Sequence, residues 1–185
     1  MLVKDIIVTA LKLLGKRDEV EYLSSGYATD EVTAKERITD LLDCYNLIAD
    51  EIACEYFPLE KSEELHSDNG EFYFTSFSES LLEIKKVLSD KTEIPYEFKS
   101  THLKCDKNKI FVTYEYRPKK KTLEENSDNF STKLTDRIIA YGICAEYSLL
   151  CGLFEESKMW NERFKEGILS SLRKKNQKVR GRKFI

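Results

Sequence analysis

The chain has 185 residues, 41% of them hydrophobic and 34% charged, with three prolines and seven glycines. That composition excludes disordered and fibrous classes and suits one helix-rich domain of ordinary size. The net charge of −3 conceals a division, because residues 173–185 carry seven basic side chains and no acid, which leaves residues 1–172 with 23 basic against 33 acidic residues, a net −10.

Residues 2–14 read as a short helix, since Leu2, Ile6, Ala10, Leu11 and Leu14 recur at three- and four-residue spacing and Gly15 stands at the C-cap. A polar loop through Ser24, Ser25 and Gly26 is expected next. The strongest periodic signal follows, in which Ile38, Leu41, Leu42, Tyr45, Ile48, Ala49, Ile52, Ala53 and Tyr56 keep the helical repeat. Thr33 with Glu36 is the expected capping box and Pro58 the stop, giving a helix over 33–56.

From Leu59 to Lys121 the period changes to that of strands. Short β-branched and aromatic stretches at Phe72–Phe77, Leu82–Leu88, Ile94–Phe98 and Ile110–Tyr116 are separated by turns at Asp90-Lys91-Thr92 and Asp106-Lys107-Asn108-Lys109. After a loop over Arg117–Asn129, helical spacing returns at Leu134, Ile138, Tyr141, Ala145, Ser148 and Gly152, with Ser131 or Thr132 as the expected cap. Gly142 and Ala145 on that helix permit close approach by a neighbour. A break at Gly152 leads to a last helix with Trp160, Phe164, Ile168 and Leu172 on one stripe. The expected fold class is α+β: a bundle of about four helices from 1–57 and 122–172, an inserted β lobe over 58–121, and an extended segment over 173–185, all within one unit.

The search for chemistry yields little. No apolar run approaches the roughly 20 residues of a membrane span, and Met-Leu-Val-Lys-Asp lacks the pattern of a secretory leader, so use without secretion and without a membrane partner is expected. The glycines are isolated, and neither phosphate-binding glycine pattern is present. His66 and His102 stand apart from any nucleophile and from the five cysteines, which have no C-x-x-C spacing. Cys44, Cys54, Cys105, Cys144 and Cys151 are expected to be reduced and mostly buried. The carboxylate pairs Glu51/Glu55 and Glu79/Glu83 fit a solvated helix face better than an acid/base pair. No catalytic residue, metal or cofactor is expected. The aromatics of the β stretch (Phe72, Tyr73, Phe74, Phe77, Tyr96, Phe98, Phe111, Tyr114 and Tyr116) are expected to form sheet core, with any surplus marking an interface.

One segment stands out by composition. Arg173, Lys174, Lys175, Lys178, Arg180, Arg182 and Lys183 are followed by Phe184 and Ile185, two apolar residues with little use in water. Extended, these thirteen residues reach about 43 Å, so they read as a basic docking arm ended by a plug for a pocket on another chain. An alternative is a small nucleic-acid-binding protein with a basic arm, which predicts further basic residues on a helix of the body.

A long amphipathic helix, a β insertion containing Glu93-Ile94-Pro95-Tyr96-Glu97 and Ile110-Phe111-Val112-Thr113-Tyr114-Glu115-Tyr116-Arg117-Pro118, a hairpin with Gly152-Leu153-Phe154-Glu155-Glu156 and Met159-Trp160, and the closing Arg180-Gly181-Arg182-Lys183-Phe184-Ile185 together resemble the head-to-tail connector (adaptor) proteins of tailed bacteriophages. The resemblance implies a virion structural protein rather than an enzyme, assembled in the host cytoplasm into a ring of usually twelve copies under the portal protein. It also implies portal docking through residues 173–185, contact with downstream neck or tail proteins, and a channel through which DNA passes without specific binding.

Overall fold

A computed structural model describes residues 2–172. The chain forms helices α1 (Val3–Leu13), α2 (Arg17–Ser25) and α3 (Glu31–Glu51), then strands β1 (Leu59–His66), β2 (Glu71–Tyr73), β3 (Ser80–Ser89), β4 (Thr92–Glu93), β5 (Glu97–Phe98), β6 (His102–Lys104) and β7 (Lys109–Arg117). Helices α4 (Asp136–Leu150) and α5 (Phe154–Leu172) complete it. The fold is α+β, with five helices beside two antiparallel sheets.

Helix α1 buries Val3, Ile6, Ile7, Ala10 and Leu11. It has no side-chain cap. Instead the backbone N–H groups of Val3 and Lys4 donate to the carbonyls of Glu125 and Leu123 at 2.9 and 3.0 Å, so the loop after the β lobe satisfies the orphan donors of the first helix. Where a polar loop was expected, α2 forms one short helix closed by Gly26 in the left-handed conformation at φ 76°. Its buried residue is Glu19, which is held by the guanidinium of Arg37 on α3.

Helix α3 begins earlier than the sequence pattern suggests. Asp30 is its cap: the Thr33 N–H and hydroxyl donate to the Asp30 carboxylate at 3.1 and 2.6 Å, so the Thr33/Glu36 box does not form. These bonds, the hydroxyl's foremost, hold the Asp30 carboxyl below its ordinary value. The α-helical pattern ends at Glu51, and Ile52–Tyr56 widen into one π-helical turn in which Phe57 N–H donates to Ile52 O at 2.8 Å before Pro58.

The four-stranded sheet has the order β1-β7-β3-β4 and the smaller one β2-β6-β5. Strand β7 is central, and Ile110, Val112 and Tyr114 point inward from it, as its alternation predicts. Strand pairing with β3 carries two irregularities, between Leu81/Glu83 and Ile84/Lys86. Asp90 and Lys91, both at positive φ, make the tight turn into β4. Two expected strands differ and one strand was not expected. Phe72–Phe77 is a strand only to Tyr73 and then a 3₁₀ turn, of Ile94–Phe98 only Glu97 and Phe98 form a strand, and β1 is the additional one.

Apolar residues gather in two clusters, one from the helices and one from the strands. In the helical cluster α4 lies against α1, α3 and α5. It buries Ile139, Ala140, Gly142–Ala145, Tyr147 and Ser148, far more of its circumference than one stripe. Helix α4 starts at Asp136, behind Thr135, later than the Ser131 or Thr132 cap that was expected, because residues 131–134 form an irregular turn. Close approach uses glycine twice: a Cβ on Gly142 would lie 3.0 Å from two atoms of Ile48, and one on Gly167 2.9 Å from Ile138. On α5, Trp160, Phe164 and Ile168 are buried, but Ser171 rather than Leu172 completes the stripe. Each four-residue step advances about 40° around the helix, so a third such step leaves the interface while a three-residue step returns to it.

Two consequences for stability follow. Removing Arg37 strands a buried carboxylate, so Arg37→Ala should cost about 3 kcal/mol in urea unfolding at neutral pH, and pairing Glu19→Leu with Arg37→Met should recover most of it. Gly70 sits at φ 71°, where a Cβ would approach the Cys105 carbonyl oxygen to 2.2 Å. Gly70→Ala should therefore destabilise the β lobe by at least about 2 kcal/mol, the sum of left-handed strain and displaced backbone. An unchanged midpoint in either series would contradict these contacts.

Candidate docking surface

The side chains with chemical potential are spent on structure. Burial pushes the thiols of Cys44 and Cys144 up to about 12, which makes them poor nucleophiles near neutrality. The Cys144 thiol donates to the Ala10 carbonyl at 3.6 Å. Cys105 is buried as well, while Cys54 and Cys151 are exposed, so three of the five cysteines follow the expectation. His66 Nε2 lies 2.8 Å from Glu64 on the surface of the β lobe, and His102 Nδ1 lies 3.1 Å from the Thr101 hydroxyl. Glu79 takes Lys61 and Lys119 at 3.5 and 2.8 Å. Among the described residues no cluster of His, Cys, Asp or Glu has the makings of a metal site, and no helix is long and apolar enough to cross a membrane.

In the β lobe, Glu63 accepts from Tyr114 at 2.8 Å and from the Ser78 hydroxyl. Burial alone would push the Glu63 carboxyl up, but bonds from Ser78 and Tyr114 outweigh it and hold the group below its ordinary value. Of the aromatics expected in the sheet core, Phe72, Phe77 and Tyr114 are buried, whereas Tyr73, Tyr96, Phe98 and Phe111 are exposed. Phe98 stacks on Phe74 with centroids 5.0 Å apart.

The largest departure from an ordinary surface is at the turn between α4 and α5. Leu149, Leu150, Leu153 and Phe154 are 49%, 63%, 48% and 69% exposed, four large apolar side chains within six residues. The turn's own geometry is satisfied, since the Gly152 and Leu153 N–H groups donate to Leu149 and Ser148 carbonyls at 3.0 and 2.8 Å and Gly152 adopts φ 75°. Turn stability therefore gives no reason for leucine and phenylalanine at these positions. Four exposed large apolar residues within six positions mark a contact surface. The sequence pattern carries the signal, in two pairs of large apolar residues flanking a glycine break where turn chemistry asks for polar ones, and these residues lie off the helical stripes that the sequence reading follows.

Helix α5 then runs 19 residues, about 28 Å, to the opposite end of the hairpin. Arg173, Lys174, Lys175, Lys178, Arg180, Arg182, Lys183, Phe184 and Ile185 lie outside the described residues and follow directly on that end. The expected basic face of a nucleic-acid reader is not found on α3. The outward side of α3 presents Glu36, Asp40 and Asp43.

If the turn is a contact surface rather than part of the core, Leu150→Ser with Phe154→Ser should shift the unfolding midpoint by no more than about 0.5 kcal/mol. The same pair should reduce self-association in analytical ultracentrifugation and the binding of a hydrophobic dye. A large loss of stability would return these residues to the core.

Compared with known proteins, the chain matches no protein-family model and no curated sequence.

Proposed function

We propose that the chain is a structural head-to-tail connector of a tailed bacteriophage virion. In this reading it forms a ring under the portal protein, holds the portal through residues 173–185, and continues the DNA channel toward neck or tail proteins. One observation carries the proposal: a single helical hairpin bears an uncovered apolar turn at one end and joins a seven-charge basic segment at the other. An enzyme needs polar groups converging on one place. A bridging protein needs two separated attachment points on a rigid spacer, and α5 supplies one of about 28 Å.

The charge division suits this role. A body of net −10 repels DNA phosphates and so favours sliding over adhesion. It also repels copies of itself, which favours free subunits until a platform gathers them. The basic residues of 173–185 speed encounter with an acidic groove on the portal, and Phe184 and Ile185 then hold by apolar burial.

The test uses the full chain and a chain ending at Leu172, each mixed with purified portal rings and followed by light scattering. The full chain is expected to add mass to the portal, while the shortened chain keeps its helical circular dichroism and fails to bind. Phe184→Ala with Ile185→Ala, all charges kept, should weaken docking by about 2 kcal/mol or more, roughly thirty-fold in Kd. Assembly of infectious particles by the shortened chain would overturn the proposal.

A further inference from the structure

The four apolar side chains of the α4–α5 turn lead straight into Glu155 and Glu156, the acidic first turn of α5. Both glutamates are exposed. Neither lies within ion-pair distance of a basic group among the described residues, although Lys158 follows within one turn. The knob offered to a partner is therefore apolar at its centre and acidic beside it. Two such turns packed on each other would gather four glutamates around one apolar contact, which like charge disfavours. A better complement is a different surface, apolar in its floor and basic on its rim.

Such a surface stands at one end of the β lobe. A groove of about 650 Å³ there is lined by Leu88, Ile110 and Phe111 together with the exposed Lys91, Lys107 and Lys109. Leu88 and Phe111 are register partners across β3 and β7. They sit side by side on the face of the sheet opposite Val87, Ile110 and Val112, and Phe111 is 43% exposed. The groove's carboxylates, Glu64 and Asp90, do not cancel its lysines. Glu64 is already shared by Lys109 at 2.9 Å and His66 at 2.8 Å, which leaves Lys91 and Lys107 against Asp90 alone. A second groove, of about 420 Å³ beside Leu47 of α3, fits less well. Its Arg117 is held by Asp50 at 2.9 Å and its Lys119 by Glu79 at 2.8 Å, so only Lys120 remains, with Asp43 in the same lining.

We propose that the α4–α5 turn of one copy enters the lysine-rimmed groove on the β lobe of the next. In this contact Leu150 and Phe154 cover Leu88 and Phe111, removing apolar surface from water on both sides, while Glu155 and Glu156 meet Lys91 and Lys107. Knob and groove are different surfaces, so a pair still has one of each free and the contact repeats head to tail, closing as a ring or running on as a filament. The ring is where this contact serves the proposed connector, and to that extent it rests on that reading; its chemistry does not. A six-residue turn is small beside the roughly 20–30 residues per side of a stable pair. One contact is therefore weak, and a closed ring strengthens it by holding every copy on two sides. A body of net −10 adds to that weakness, keeping copies apart until they are concentrated.

Disulfide trapping of the full chain tests this, because Cys151 lies within the turn and is exposed. Cys54→Ser removes the other exposed thiol among the described residues, and Asn108→Cys then places one in the groove lining. Diamide oxidation of the concentrated protein should give a ladder of dimers, trimers and larger species on a non-reducing gel. Chains mixed from heavy and light isotope cultures should yield peptides bridged 108–151 between chains. Lys91→Glu with Lys107→Glu should lower the ladder about fivefold or more, and adding Glu155→Lys with Glu156→Lys should restore it, which a misfolded variant would not do. Cys54→Ser alone should stay monomeric, and Lys120→Cys, in the second groove, should give no ladder. Cys151–Cys151 dimers, a bridge within one chain, an equal ladder from Lys120→Cys, or no ladder at all would each overturn the contact. Portal binding without a ladder would sink the contact and leave the connector reading standing. A ladder without portal binding would do the reverse.

Discussion

Everything in the helical half depends on how closely its neighbours approach α4. That helix is enclosed by α1, α3 and α5, and a helix surrounded on three sides cannot present large residues to all of them. Gly142 lets Ile48 of α3 lie against the α4 backbone, while on the other contact the roles reverse and Ile138 of α4 enters the space left by Gly167 of α5. The two contacts sit one turn apart on the same side of α4, at Ile138 and Gly142, so α3 and α5 both close in there with isoleucine against backbone. Enclosure of α4 in turn fixes the hairpin geometry, and with it the position of the apolar turn and of the end of α5.

The β lobe has its own cluster, but its return to the bundle is tied down by particular polar bonds. Asn46 on α3 accepts from the Lys121 N–H at 2.7 Å and donates to the Lys121 carbonyl at 3.2 Å, gripping the chain just after β7. The next residues then cap α1 through the carbonyls of Leu123 and Glu125. An insertion of some sixty residues is thereby closed at its base, and the first helix acquires a cap that its own residues lack. Contacts of this length of separation cannot be read from local pattern, since neither Asn46 nor the 121–125 loop has any periodic signature.

What was legible in the sequence follows from where physics is local. The stripes of α1, α3 and α5, the alternation of β7 and the turn at Asp90-Lys91 all express a repeat or a backbone preference within a few residues. Strand β1 was illegible because Lys61 and Glu63, at the half-buried positions of its inner face between Leu59 and Leu65, break the apolar alternation. They are tolerated there because Lys61 reaches Glu79 and Glu63 takes the Tyr114 hydroxyl, partners distant in sequence. Helix α2 was hidden in the same way, its buried residue being a glutamate satisfied by Arg37 on the next helix. The contact surface was harder still. Leu150 and Phe154 fall on neither of the helical stripes beside them, and only the packed structure shows that the described residues leave them exposed.

Exposed apolar surface and unpaired like charge both raise the free energy of an isolated chain, so their coexistence on one small body calls for a physical reason. The apolar turn removes four large side chains from the core without a local structural return. At the end of α3, burial first and then the charges of Glu55 and Glu146 push the Glu51 carboxyl up. Neither feature strengthens the fold, yet each has a complement of simple kind: another apolar surface for the first, a basic segment for the second. A body with both gains on meeting its complements, which is the energetic condition for a part that folds alone and is completed by contact. In the proposed connector the apolar turn would be covered by a neighbouring chain in the assembly.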